Sequence, residues 1–136
     1  MRPALLLTFV AVGLTGCGTR TSYVRLNQPP GPMTARDPAS VEVYSATRPD
    51  RPWVEIGIIE AQQASDFSGH DMPEIVAEMR ARAAAEGCDA LIITSNNDSV
   101  VGTSDDDGSG STSTLKGYRG ACAMYRPASP PAVARP

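Results

Sequence analysis

The chain has few of the residues that build catalytic and metal centres. It contains one histidine and three cysteines in 136 residues, and neither a Cys-x-x-Cys nor a His-x-x-x-His spacing occurs. The chain therefore lacks Cys and His ligands at the spacings that are typical of zinc sites. Thiol catalysis needs a basic partner, and His70 lies before the predicted helix, where an exposed loop position is expected. We expect no enzyme activity, no cofactor and no bound metal.

Long hydrophobic runs and an excess of basic charge are also missing. The uncharged run from Pro3 to Gly16 is shorter than the about 20 residues that a helix needs to span a bilayer. The formal net charge is −3, with 12 basic and 15 acidic residues, so the basic surface typical of nucleic-acid binding is not expected. Aromatic residues make up 5% of the chain, whereas glycine and proline number 12 each. Part of the chain is therefore expected to lie outside a packed core.

The N-terminus has the pattern of an export signal. Arg2 precedes the uncharged run, as a basic residue does at the start of a signal peptide. The run ends in a tetrad that resembles the lipobox of bacterial lipoproteins: Leu14, Thr15, Gly16 and Cys17. In that class the cysteine sulfur receives a diacylglycerol before cleavage and gains a further acyl chain afterwards. We predict removal of residues 1–16 and a stable membrane anchor on Cys17, because two or more acyl chains hold a protein firmly.

The other interpretation is an ordinary secretory signal with a chance cysteine. The lipobox pattern favours the lipid-anchored interpretation, and the predicted location is the bacterial cell envelope. Gly18 follows the lipid site, where lipoproteins retained in the inner membrane of enteric bacteria more often carry Asp. This favours the outer membrane.

Composition divides the remaining chain into a domain and two flanking segments. Residues 17–40 are rich in Pro, Gly, Thr and Ser without periodicity, and predict a disordered linker that carries the lipid. Residues 127–136 predict a disordered tail. Residues 41–126 predict one small α+β domain in the order β-β-α-β-β, with one helix packed on a small sheet.

Within the domain, local patterns predict the elements. "VEVYSA" from Val41 and "PWVEIGIIEA" from Pro52 predict two strands, with Gly57 marking a bulge or a close backbone approach. The Pro- and Asp-containing segment between them predicts a turn, and hence a hairpin. "DALIITSN" from Asp89 and "LKGYRGACAMYR" from Leu115 predict the last two strands.

The helix between these strand pairs has start and stop signals. Asp71 predicts the N-cap, Glu74 a capping box and Gly87 the left-handed C-terminal cap. Apolar residues at helical spacing predict one buried stripe: Met72, Ile75, Val76, Met79 and Ala83.

Residues 98–114 are low in complexity and predict a flexible acidic loop. Asp105, Asp106 and Asp107 could supply oxygen ligands for calcium, but the EF-hand spacing is not met. A flexible hydrophilic insertion is the favoured interpretation.

Two cysteines remain if Cys17 is acylated. An oxidising envelope compartment favours a disulfide between Cys88 and Cys122 over two free buried thiols. Cys88 precedes the third predicted strand and Cys122 lies late in the fourth, which fits antiparallel neighbours.

With the elements placed, residues 41–126 resemble the RcsF-like and YbjQ-like small domains of bacterial envelope lipoproteins. The similarity lies in "VEVY", in "WVEIGIIEA", in the alanine-rich helix followed by Gly87, Cys88, Asp89 and Ala90, and in the closing "GACAMYR". The resemblance implies a small α+β sheet fold, a lipid anchor and disulfide support.

Three functions follow as hypotheses. The first is a non-enzymatic envelope lipoprotein that binds a protein partner or senses envelope stress. The second is a periplasmic module that binds a metal or a small ligand. The third is a passive structural anchor.

Overall fold

A five-stranded mixed sheet with one helix on it organises the molecule. The computed structural model describes residues 18–65, 71–104, 108 and 110–127. In chain order the elements are β1 (Thr19–Arg25), a 3-10 turn (Pro38–Ser40), β2 (Glu42–Tyr44), β3 (Trp53–Gln63), α1 (Met72–Glu86), β4 (Ala90–Asn96), β5 (Ser99–Ser104), β6 (Gly110–Leu115) and β7 (Gly117–Tyr125). The five strands of the sheet lie in the order β1-β3-β7-β4-β2, and β5 and β6 form a separate two-stranded hairpin. The predicted α+β class, with one helix packed on a small sheet, is confirmed.

The long strand β3 lies between β1 and β7, pairing antiparallel with both. Its register with β7 shifts between Glu55 and Gly57, which confirms the predicted bulge. The close backbone approach predicted at Gly57 is also present. A Cβ atom at this position would lie 2.7 Å from the ring of Tyr23 and against the carbonyl of Val24. Glycine is needed here because β1 packs where a side chain would stand.

Helix α1 follows its sequence signals closely. Asp71 is the N-cap of a capping box, and its backbone N–H donates to the Glu74 carboxylate at 3.2 Å. Gly87 ends the helix with φ of 85°, in the left-handed region that glycine enters without steric cost. Of the predicted stripe, Ile75, Met79 and Ala83 are buried.

The main core lies between α1 and the sheet. Met72, predicted to be buried, is 42% exposed because it lies at the first turn, and Ala84 is buried instead. The fully buried side chains that fill this layer are Val41, Ile56, Ile59, Ile75, Met79, Leu91, Cys88 and Cys122.

The prediction of a disordered linker over residues 17–40 is wrong for its described part. Thr19–Arg25 forms edge strand β1, paired with β3 over its whole length. The chain then crosses α1 to reach β2 at the opposite edge of the sheet. Arg36 N–H donates to Ala84 O at 3.0 Å, and Arg80 donates to Ala39 O and Val41 O at 2.7 and 2.9 Å. These contacts join residues far apart in the chain, so local composition carries no sign of them.

The predicted hairpin of the "VEVY" and "WVEIGIIEA" strands is also wrong. β2 pairs in parallel with β4, with Glu42 opposite Ala90, and not with β3. The crossing segment brings β2 to the β4 edge, while β1 takes the place beside β3. A turn sequence shows only that the chain changes direction, not which strand it joins.

The interval 98–114, predicted as a flexible loop, contains two strands. β5 and β6 pair antiparallel from Ser99 opposite Leu115 to Ser104 opposite Gly110. Their Ser-, Thr- and Gly-rich composition resembles that of a loop, because both strands lie outside the core. Asp105, Asp106 and Asp107 lie outside the described residues, as do residues 128–136 of the predicted tail.

Candidate functional site

The structure joins the two cysteines that the sequence paired. Cys88 and Cys122 form a disulfide with a Cα–Cα distance of 5.5 Å, and both are fully buried. Cys88 lies two residues before β4, and β4 and β7 are antiparallel neighbours with Leu91 opposite Cys122. The predicted disulfide is therefore confirmed, and the bond ties the end of α1 to the centre of the sheet.

A network of polar contacts surrounds this covalent link. The Asp89 carboxylate accepts from Arg36 Nη1 at 2.6 Å and from the backbone N–H of Tyr125 at 2.8 Å. Arg36 also donates to the carbonyl of Gly87 at 3.3 Å. The crossing segment is thus held against the helix end and against β7.

A carboxylate bound by two tyrosines and an arginine lies on the helix-free face of the sheet. Glu42 Oε2 accepts from the hydroxyls of Tyr44 and Tyr125, the second at 2.8 Å. Arg51 Nη2 donates to Glu42 Oε1, and its guanidinium carbon lies 3.3 Å from the centre of the Tyr125 ring. This stacked cation and its shared carboxylate order the end of the β2–β3 loop.

These contacts shift the pKa values of Glu42 and Tyr44. The Tyr44 hydroxyl, followed by that of Tyr125, lowers the pKa of Glu42 because hydrogen bonds stabilise its charged form. The same hydrogen bond to Glu42 raises the pKa of Tyr44, since the tyrosine must keep its proton to donate it. Glu42 is thus held as a carboxylate and Tyr44 as a neutral phenol, and the hydrogen bond between them fixes both side chains on the surface.

Three aromatic side chains form what we call the aromatic patch: Tyr44, Trp53 and Tyr125. They are half-buried and cover a small second core on the helix-free face, made of Ala90, Ile92, Ala121 and Ala123. Small residues in β4 and β7 let the three rings pack down on the sheet. The patch combines aromatic rings with an adjacent arginine, the composition enriched at protein interfaces.

The aromatic patch was not among the predicted sites. Its residues come from β2, β3 and β7, and only the strand order places them together. One signal was available. The chain has one tryptophan and four tyrosines, and four of these five lie within predicted strands.

Strand β1 begins at the end of the sheet opposite to Trp53 and Tyr125. Gly18 O accepts from the backbone N–H of Ala64 at 2.8 Å, so the first described residue is already part of the sheet. Beside it lies an open depression of about 180 Å³, lined by residues of β1 and β3 and by Asn97. Its polar lining includes Arg20 and Gln62, and Gln62 donates to Asn97 O and to Ser99 Oγ at 3.2 and 2.8 Å.

Several predicted site residues lie outside the described residues. These are the lipobox, Leu14, Thr15, Gly16 and Cys17, and also His70. Within the described ranges, no three metal-ligating side chains come together as a metal site. In the same part of the chain, no helix has the length and apolar character needed to cross a membrane.

Comparisons with known proteins add little about function. No protein-family model matches the chain, and a search of curated proteins finds no match. Among solved structures, the chain is similar to the crystal structure of a Francisella virulence factor, FvfA. The identity is 18% and the TM-score 0.45, over 76% of this chain and 96% of that one. A likeness at this level assigns no activity to the chain.

Proposed function

We propose that the protein is a lipid-anchored bacterial envelope protein whose domain binds a protein partner without catalysing a reaction. The observation that carries this proposal is the buried Cys88–Cys122 disulfide. Structural disulfides form and persist in oxidising compartments and are rare in the reducing cytosol. Export would supply such a compartment, and the Leu-Thr-Gly-Cys pattern at residues 14–17 supplies a route to it.

Acylation of Cys17 would retain the exported protein at a membrane, with the outer membrane favoured over the inner by Gly18. The resemblance to RcsF-like and YbjQ-like envelope domains supports the same assignment. In this proposal the lipid anchors the domain, and the folded surface does the binding.

The aromatic patch is the surface best suited to a partner. Trp53 and Tyr125 offer large contact areas at a low cost in side-chain entropy, and Arg51 is held in place by Glu42 and the Tyr125 ring. A pre-ordered surface of this kind loses less entropy on binding than a mobile one. Envelope stress sensing would be one use of such a contact.

Two measurements test the proposal. The intact mass of protein purified from membranes should equal that of the chain starting at Cys17 plus its acyl groups. A photo-crosslinking phenylalanine analogue at position 53 should give a discrete adduct in intact cells, whereas the same analogue at exposed Glu78, on α1, should not. Identical patterns from the two positions, or no adduct from either, would favour the passive anchor.

The metal-binding alternative has its own measurement. Elemental analysis of the purified domain after dialysis should find no stoichiometric metal. A metal retained at one equivalent would replace partner binding with the second hypothesis.

A further inference from the structure

Gly18, the residue after Cys17, belongs to the folded domain. Its carbonyl is hydrogen-bonded to Ala64 N–H at 2.8 Å, and β1 pairs with β3 from Thr19 onward. Gly18 has φ of 131°, in a region that residues with a Cβ rarely adopt. The path of the chain into β1 is therefore fixed at this residue, and no flexible spacer separates Gly18 from the sheet.

Strand directions bring several chain segments to the same end of the sheet. β1 starts where β3 ends, because the two are antiparallel, and β4 ends there too, since both β3 and β4 run antiparallel to β7. Backbone hydrogen bonds close this end, from Gln63 N–H to Lys116 O at 2.9 Å and from Asn97 N–H to Gly117 O at 2.8 Å. We call it the anchor end, formed by Gly18, Thr19, Gln63, Ala64, Asn97 and Lys116.

We propose that the anchor end lies directly in the phospholipid headgroup layer of the membrane that holds the acyl chains of Cys17. The inference rests on the acylation proposed above. Acyl chains stay in the hydrocarbon core because every methylene group is stabilised by leaving water, and this holds Cys17 near the edge of that core. One residue extends the chain by only about 3.8 Å, while the headgroup layer of each leaflet is about 5–8 Å thick.

The side chains at this end fit a lipid surface. Arg20, three residues after Cys17, is exposed and lines the polar depression, and it takes part in none of the ion pairs of the described residues, so its guanidinium is available to a lipid phosphate. The β5–β6 hairpin also starts here, and Val100 is 73% exposed on it. A valine on a hairpin otherwise rich in Ser, Thr and Gly suits the border between headgroups and acyl chains.

The arrangement also orients the proposed partner surface. Trp53 opens β3 opposite Tyr125, and Gln63 ends β3, so the Trp53 and Tyr125 end of the aromatic patch lies about 33 Å from the anchor end at the ordinary rise of a strand. The patch would therefore face away from the lipid, where an envelope partner can reach it.

Fluorescence quenching in vesicles tests this geometry with the acylated full-length mature protein. A fluorophore is attached to Asn96→Cys, at the anchor-end terminus of β4, and separately to Arg126→Cys, after β7 at the other end. Both positions are exposed, and the Cys88–Cys122 disulfide is buried and does not compete for the label. The vesicles are phosphatidylcholine with a nitroxide on a fraction of the headgroups.

Asn96 lies opposite Tyr118, eight residues before Arg126. Quenching at position 96 should exceed that at position 126 by at least about threefold, because eight strand residues span about 26 Å, which is several headgroup layers thick. Inserting about 12 Gly/Ser residues between Cys17 and Gly18 should remove most of that difference, since such a spacer spans about 20 Å. Thermal melting of each labelled variant confirms that the domain is folded.

The outcomes separate the inference from the proposed function. Equal quenching at the two positions in protein with the acylated mass overturns the headgroup placement and leaves the lipoprotein assignment intact. Quenching at position 96 that the spacer does not reduce also overturns it, because the tether would then not be its cause. A mass without acyl groups overturns both.

Discussion

At the scale of single residues, Gly57 is a position where the structure leaves no room for a side chain. A methyl group there would contact the backbone of Val24 and the ring of Tyr23. Because Val24 O belongs to the β1–β3 pairing, the strand itself would have to move.

We therefore expect Gly57→Ala to lower the free energy of unfolding by about 1–3 kcal/mol, the usual cost of overpacking. Gly31→Ala is the matched control, since nothing lies within 4 Å of a Cβ atom at that position. Urea denaturation of the two variants measures the difference. Equal midpoints would show that β1 does not pack against Gly57.

Glu42 makes stability depend on pH. Its pKa is lowered in the fold, first by the Tyr44 hydroxyl, so its stabilising effect is present above the unfolded value of about 4.3. That effect is lost as the pH falls through the lower, folded value.

Glu42→Gln removes this contribution. The stability difference between the natural protein and the variant should be constant above about pH 5 and should shrink below about pH 4. Urea midpoints across this range provide the measurement. A difference that does not change with pH would mean that the carboxylate charge is not what the tyrosines recognise.

At the scale of elements, the disulfide joins two segments separated by 34 residues. Reducing the bond frees the unfolded chain from a closed loop. In the chain-entropy model this costs the fold roughly 3–4 kcal/mol.

The Cys88→Ala, Cys122→Ala double variant should lose at least that much, as should the natural protein in strong reductant. Denaturation with and without reductant checks this, and the double variant should not respond to reductant. Alkylation of both thiols in the native protein without reductant would contradict the bond itself.

The β5–β6 hairpin, in contrast to the disulfide, should contribute little to the stability of the domain, because its strands pair chiefly with each other. Replacing residues 100–114 by Asn-Gly would join Ser99 to Leu115, which already face each other, through a favoured two-residue turn.

We expect this shortened protein to keep its stability within about 1 kcal/mol, as surface changes usually do. Thermal and urea denaturation provide the comparison. A large loss would show that the hairpin supports the five-stranded sheet.

At the scale of the whole molecule, the domain begins earlier than composition indicates. β1 covers one edge of β3, and Arg36 holds the crossing segment to the helix end through Ala84, Gly87 and Asp89. Residues 18–40 are therefore part of the fold.

A chain of residues 41–127 should not fold, because it lacks an edge strand and the cover of the helix end. The loss should exceed the about 5 kcal/mol at the lower end of the stability range of small proteins. Residues 18–127 provide the control, with circular dichroism and urea denaturation as readouts. Cooperative unfolding of the shorter chain would restore the linker interpretation.

Local signals in the sequence determined much of this architecture. The helix limits at Asp71 and Gly87, the bulge at Gly57 and the strand character of β3, β4 and β7 follow from capping, backbone freedom and side-chain alternation. These effects act over a few residues, so they are visible in a single sequence. The Cys88–Cys122 pairing was also predicted, because the sequence interpretation assigned Cys17 to a lipid and placed the two other cysteines in an oxidising compartment.

Only the tertiary structure decided the strand order. It placed β1 beside β3, sent β2 to pair in parallel with β4, and brought Tyr44, Trp53 and Tyr125 together on the helix-free face. Each of these outcomes depends on hydrogen bonds and packing between segments distant in the chain, and neither composition nor periodicity encodes which edge a strand will join. The position at which the folded domain begins was decided in the same way, because pairing of Thr19–Arg25 with β3 turned an apparent linker into a strand.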